Sequence, residues 1–150
     1  MYGTLGAMIS ILSALLTLGL AAIGEKPAIV VTGEQAPARI SRATVITPAE
    51  GPPVVLYGAV SETDQRLDEF TVMVFLFKAD GTLHARQTAP GRRTLEPHET
   101  KYSTVVVDGA PLDPTDVVVI GINQAQVVGS NTWWRVDLQP AAQAAASAKK

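Results

Sequence analysis

The chain has 150 residues, 47% of them hydrophobic but only 5% aromatic, and a formal net charge of −2. That length holds one domain plus one extra element, and the mild acidity without a long basic block excludes the electrostatic footprint of a nucleic-acid binder. The absence of cysteine excludes a disulfide framework, a thiolate metal site, a cysteine nucleophile and lipid attachment through a cysteine.

The first predicted element lies in "GAMISILSALLTLGLAAIG" (6–24). From Leu5 to Ile23 no residue is charged. As a helix this run extends roughly 28 Å, close to the hydrocarbon thickness of a bilayer. The reading is a single transmembrane anchor over residues 1–25. A cleaved signal peptide is the competing reading, since Ala21-Ala22 and Gly24 offer small residues for cleavage. However, no Lys or Arg precedes Lys26, and the apolar run exceeds the ~7–15 residues of a signal's core. At about 100° per residue, Gly6, Ser10, Ser13, Thr17, Ala21 and Gly24 fall within an arc of roughly 80°. Leu12, Leu15, Leu16, Leu18 and Ile23 lie elsewhere. Small residues four apart let helices approach closely, and hydroxyls hydrogen-bond across the contact. The stripe therefore predicts helix–helix packing, with a second copy or with the spans of a larger complex. Orientation is weakly coded: Lys26, Arg39 and Arg42 follow the span and lean toward a cytoplasmic domain. A short uncharged N-terminus before one apolar span points to export instead, which is the side favoured.

Residues 24–53 hold five prolines (Pro27, Pro37, Pro48, Pro52, Pro53), which predicts that 26–52 is a linker leading into early strands. "AIVV", "RISRATVIT", "PVVLYGAVS" (53–61) and "DEFTVMVFLFK" (68–78) follow as strands, being rich in β-branched and aromatic residues. "ADG" (79–81) makes a tight reversal into "TLHARQT". "KYSTVVV", "DVVVIGIN" and "NTWWRVDL" complete the set. About seven short strands over residues 53–139 and the preceding segment predict an all-β, immunoglobulin-like antiparallel sandwich. Residues 140–150 are an Ala-rich tail, read as a frayed helix or a disordered end.

The succession "VVLYGAVSE…DEFTVMVFLFKADGTL…RTLEPHETKYSTVVV…DVVVIGI" resembles the bacterial FxLYD-type immunoglobulin-like domains and their late-embryogenesis-abundant relatives, over residues 54–123. Leu76-Phe77 and Asp80-Gly81 match the central motif; Leu95, Pro97 and Glu99 match the later step. Lys78 replaces an acidic residue, and His98 stands where glycine is common. The resemblance implies a binding or scaffolding module behind a single membrane span, with no catalytic residues; joined to the export reading, it gives a bacterial inner membrane with the sandwich on the extracytoplasmic side.

Chemistry-bearing groups are sparse. His84 and His98 sit apart, without the three or four convergent ligands a metal needs. Ser61 and Ser103 lack a nucleophile-elbow pattern. Asp64, Asp68 and Glu69, like Asp113 and Asp116, read as solvated loop carboxylates rather than acid–base or calcium sites. "GRRT" (91–94) is a small basic spot. No enzyme, metal or cofactor is expected.

Apolar surface carries more. In residues 68–78, Phe70, Val72, Val74 and Leu76 share one face, while Met73, Phe75 and Phe77 make the other face apolar too. A strand with one wet face alternates cleanly, so something covers Met73, Phe75 and Phe77: a loop of the chain or a partner protein. Trp133 and Trp134 are adjacent and point to opposite faces, one into the core and one toward a contact. The functional expectation is a structural, non-catalytic accessory subunit of a membrane complex, energy-transducing or transporting. The alternatives are a tethered ligand- or protein-binding sensing module and a domain secreted after cleavage near Ala22.

Overall fold

The computed structural model describes residues 24–91, 94–109, 111–127 and 131–148. The expected anchor, with Gly6, Ser10, Ser13, Thr17 and Ala21, lies outside the described residues. Among those described, no helix is long and apolar enough to cross a membrane.

Among the described residues nine strands and one helix follow one another: β1 (Gly24–Pro27), β2 (Ile29–Val30), β3 (Ala38–Thr47), β4 (Val54–Ser61), β5 (Leu67–Phe77), β6 (Leu83–Pro90), β7 (Thr100–Val106), β8 (Val117–Val127), β9 (Trp133–Arg135) and α1 (Gln139–Ala148). They form two sheets. Sheet A has the order β1-β3-β4-β7; sheet B has the order β2-β8-β5-β6, with β9 also paired to β8. The fold is all-β, as the sequence predicts, but sheet B is mixed: β2 runs parallel to β8.

Gly24 requires a correction. It belongs to β1, paired with Thr47 of β3, and not to a helical stripe. Glycine is a poor helix former, and Pro27 keeps the residue before it out of helical backbone, so the chain is extended by Gly24. The segment 26–52 is likewise mostly strand. After one intervening residue the chain leaves sheet A for sheet B. Ala28 N donates to Ala43 O (3.2 Å) and Val31 N to Ile120 O (3.0 Å). The first eight described residues therefore fasten both sheets.

The sheets close on a common core of Ile40, Val45, Val55, Tyr57, Phe70, Val72, Val74, Leu76, Val105, Ile120 and Ile122, among others. Strand β3 keeps its apolar residues inward by a change of phase. Ala38 and Ile40 are even-numbered, Ala43 and Val45 odd, and a bulge falls between Ile40 and Arg42. The extra residue resets the alternation, so that Arg42 points outward. Where the free edges of β6 and β7 meet, Gln87 bridges them: Nε2 donates to Val106 O (2.7 Å), and Oε1 accepts from Asp108 N (3.1 Å).

A second core lies outside sheet B. Phe75, Phe77, Val119, Leu138, Ala142 and Ala146 are buried together, with Met73, Leu83 and Val117 at their margin. The phenyl rings of Phe75 and Phe77 stand 6.3 Å apart at an interplanar angle of 21°. The segment read as a frayed helix or a disordered end is thus a docked helix, α1; Leu138 just before it, Ala142 and Ala146 recur every four residues on one buried face. Asp137 caps it, its Oδ1 accepting from Gln139 N (3.0 Å). Pro140 sits in the first turn, where no helical N–H is needed. Gln143 Nε2 holds Gly81 O at 2.8 Å. Beneath the helix, a Cβ on Gly121 would meet Val31 O at 2.6 Å and Leu138 Cδ1 at 2.8 Å, so glycine lets β2 and the helix entry close on β8.

Phe75→Ala should lower the unfolding free energy by about 3–5 kcal/mol, the cost of a large cavity in a core that cannot collapse, read from the denaturant midpoint. A near-neutral result would mean that α1 does not seal this face.

Candidate functional site

Of the residues expected to meet a partner, Phe75 and Phe77 are fully buried beneath α1, and Met73 is half-buried at the same cluster. The doubly apolar strand is thus covered by the chain's own C-terminal helix, in place of a partner protein. The cover is a helix and not a loop, because ten Ala-rich residues form a rod slim enough to lie on the rings.

The tryptophans separate as adjacent strand residues must. Trp134 pairs in register with buried Ala125 and packs against the main core. Its Nε1 donates to Glu34 O at 3.2 Å. Trp133 lies on the other side, with the Arg135 guanidinium 5.8 Å from its ring centroid. It borders an open groove with Glu69, Phe70, Pro90 and Gln124. Both rings are half-buried.

The polar groups do not converge on a reaction. His98, in left-handed backbone (φ 58°), holds Asp64 Oδ1 at 3.1 Å on the surface, while His84 is exposed on β6. Ser61 is buried in a local turn with Thr63. Among the described residues no group of three or more His, Cys, Asp or Glu is placed to hold a metal ion.

The outer face of sheet A is the surface that strand patterning did not single out. All three exposed large hydrophobic residues among those described lie on it: Leu56 (39%), Tyr102 (75%) and Val106 (43%). Half-buried Ile46, Val54 and Val60 adjoin them. Gly58 forms the floor of a trough of about 440 Å³ walled by Glu25, Arg42, Leu56, Tyr102 and Thr104. A Cβ at Gly58 would come within 2.9 Å of Ser41 Oγ and 3.0 Å of the Tyr102 ring. The signal was present in the sequence: "VVLYGAVS" is apolar on both faces, as β5 is.

At the end of the domain where β1 starts, Asp116 organises the loops. Its side chain is 1% exposed. Oδ2 accepts from Lys78 Nζ (3.2 Å) and Asp113 N (2.9 Å), and its carbonyl accepts from Lys26 Nζ. Lys78 also reaches Asp113 Oδ2 at 3.3 Å. The Asp116 carboxylate raises the Lys78 ammonium above its ordinary 10.5, against some desolvation and with help from Asp113. A cation whose folded value is raised stabilises the fold fully below the unfolded value and loses that stabilisation as pH climbs through the folded one. Wild type should therefore melt above Lys78→Gln at about pH 8, and the two midpoints should converge as pH rises past roughly 10.5. A gap that persists unchanged would assign the effect to the lysine's stem and not to its charge.

Comparison with protein-family models, with curated proteins and with solved structures found no match.

Proposed function

We propose that the chain is a non-catalytic, single-pass membrane accessory protein, whose immunoglobulin-like sandwich is held against the bilayer and braces a larger membrane complex. The observation that carries this reading is the start of β1. The ladder with β3 opens at Gly24↔Thr47, immediately after the uncharged run Leu5–Ile23. Were that run a helix, the sequence would leave no residue for a spacer between it and β1. A sensing module that sweeps for ligands calls for slack; a brace calls for none.

The strand order supports the immunoglobulin-like assignment. Hairpins β3–β4 and β5–β6 lie in opposite sheets, β7 returns to the first and β8–β9 to the second, a Greek-key arrangement. The resemblance to FxLYD-type domains supports a bacterial module that follows a single membrane span. The small-residue stripe supports contact with other transmembrane subunits. The groove beside Trp133 favours a second reading, a tethered module binding a ligand or protein through that end, which needs no companion span.

The chain should sediment with membranes and resist alkaline extraction, and the double variant Ser13→Leu/Thr17→Leu should reduce co-purifying partners by roughly tenfold through steric intrusion and lost interhelical hydrogen bonds. Partners retained in full by the double variant would defeat the brace. A mature N-terminus beyond Ile23 would defeat the anchor.

A further inference from the structure

We propose that the groove beside Trp133 is a carbohydrate site, in which a neutral pyranose lies on the indole between Glu69 and Gln124. The site gives the second reading above its ligand and rests on that reading; it draws nothing from the anchor.

Register places the groove. On the outer side of sheet B, Glu69 of β5, Gln126 of β8 and Trp133 of β9 form one cross-strand row, and Thr71, Gln124 and Arg135 form the next. Helix α1 covers this side of the sheet farther along, at Phe75, Phe77 and Val119. At the two polar rows a groove of about 590 Å³ opens instead, lined by Asp68, Glu69, Thr71, Pro90, Gln124 and Trp133 among others. That volume is in the range of small-molecule sites.

The walls are held in place. Gly91 N donates to Phe70 O (2.7 Å), and a Cβ on Gly91 would meet the Phe70 ring at 2.2 Å, so glycine lets this wall close on the buried ring. On the other side Arg135 sets two lining groups at once. Its Nε donates to Gln124 Oε1 (3.1 Å), and its guanidinium stands 5.8 Å from the Trp133 ring centroid. Arg135 does not itself line the groove, so the indole face it covers is not the one on which the groove opens. With its oxygen engaged, the Gln124 amide presents its N–H donors. Glu69 is exposed and pairs with no described residue, so its carboxylate presents acceptors. A ring, a donor and an acceptor are thus oriented in advance, which limits the side-chain freedom lost on binding.

The lining selects among ligand classes. An anion would face Asp68 and Glu69, and among the described residues no cation lines the groove. A cation would find the indole already stacked against Arg135 and Asp68 paired with Arg66 (3.6 Å). A purely apolar ligand would bury the Glu69 carboxylate and the Gln124 amide without partners, at the full cost of their desolvation. A pyranose meets each requirement. Its C–H face is flat and apolar and packs on an indole. Each of its hydroxyls both donates and accepts, so neighbouring hydroxyls answer Gln124 and Glu69 together.

Full-length protein in mild detergent, applied to a printed array of neutral and acidic oligosaccharides with proline-rich and lysine-rich peptides beside them, should be retained on neutral oligosaccharides. Retention should fall at least about tenfold in Trp133→Ala and in Glu69→Gln. Tyr102→Ala, which removes an exposed ring from the other sheet, should leave it unchanged. Glu69 is exposed, so its variant keeps the fold even where Trp133→Ala does not. Neutral-sugar retention indifferent to Glu69→Gln, or retention on acidic sugars alone, would overturn the carbohydrate. Peptides retained in place of sugars would overturn it too, and their loss in Glu69→Gln would leave the ligand-binding reading standing. An array on which nothing is retained would remove both.

Discussion

Strands β5 and β8 are apolar on both sides, and the rest of the molecule is arranged around covering them twice. On the inner side, Phe70, Val72, Val74 and Leu76 meet residues of sheet A. On the outer side, Phe75, Phe77 and Val119 meet α1. Each fully buried Phe or Val is worth about 1.5–3 kcal/mol relative to exposure. Neither side can be left open in a domain whose net stability is on the order of 5–15 kcal/mol. The layer order, sheet A then sheet B then helix, follows from that requirement. The alanines of α1 let its axis approach the stacked rings where larger side chains would hold it away.

The N-terminal strand pair contributes stability differently. Four residues of β1 and two of β2 bury little apolar surface, but they pair with different sheets across one intervening residue. Separating the sheets therefore requires breaking one of the two ladders. Lys26, on β1, donates to the Asp116 carbonyl in the loop before β8, which Lys78 and Asp113 hold from the other side. Force applied to the chain before Gly24 is transmitted into both sheets and this loop together. That stiffness is the property a brace beside a membrane would use.

Most strands were legible because their apolar residues repeat every two positions between turn signals; β3 to β8 fall where the pattern put them, within a few residues. Three features were less so. The helix α1 was half legible, because an Ala-rich stretch favours helix by propensity yet reads as low complexity, which left a frayed helix and a disordered end both open. The informative feature was Leu138, Ala142 and Ala146 at intervals of four. Gly24 was assigned by angular position on an extrapolated helix, and local chemistry at Glu25-Lys26-Pro27 overrode it. The association of Lys26, Lys78 and Asp116 joins residues up to 90 positions apart, and no local pattern encodes it. That the tryptophans face opposite sides, with Trp134 at the core, followed from strand geometry alone, because adjacent strand residues alternate.

The two outer faces differ in a way that bears on what each can do. The face of sheet B carries phenyl rings, and the chain covers it itself, since no soluble state tolerates it bare. The face of sheet A alternates Val54, Leu56, Tyr102 and Val106 with Ser41, Arg42, Thr100 and Thr104, which keeps it wettable. Its β3 margin is further guarded by the bulge and by Arg39, paired with Glu62, devices that discourage open-ended strand addition. A face of this kind does not drive association by itself. It discriminates among surfaces brought close by other means.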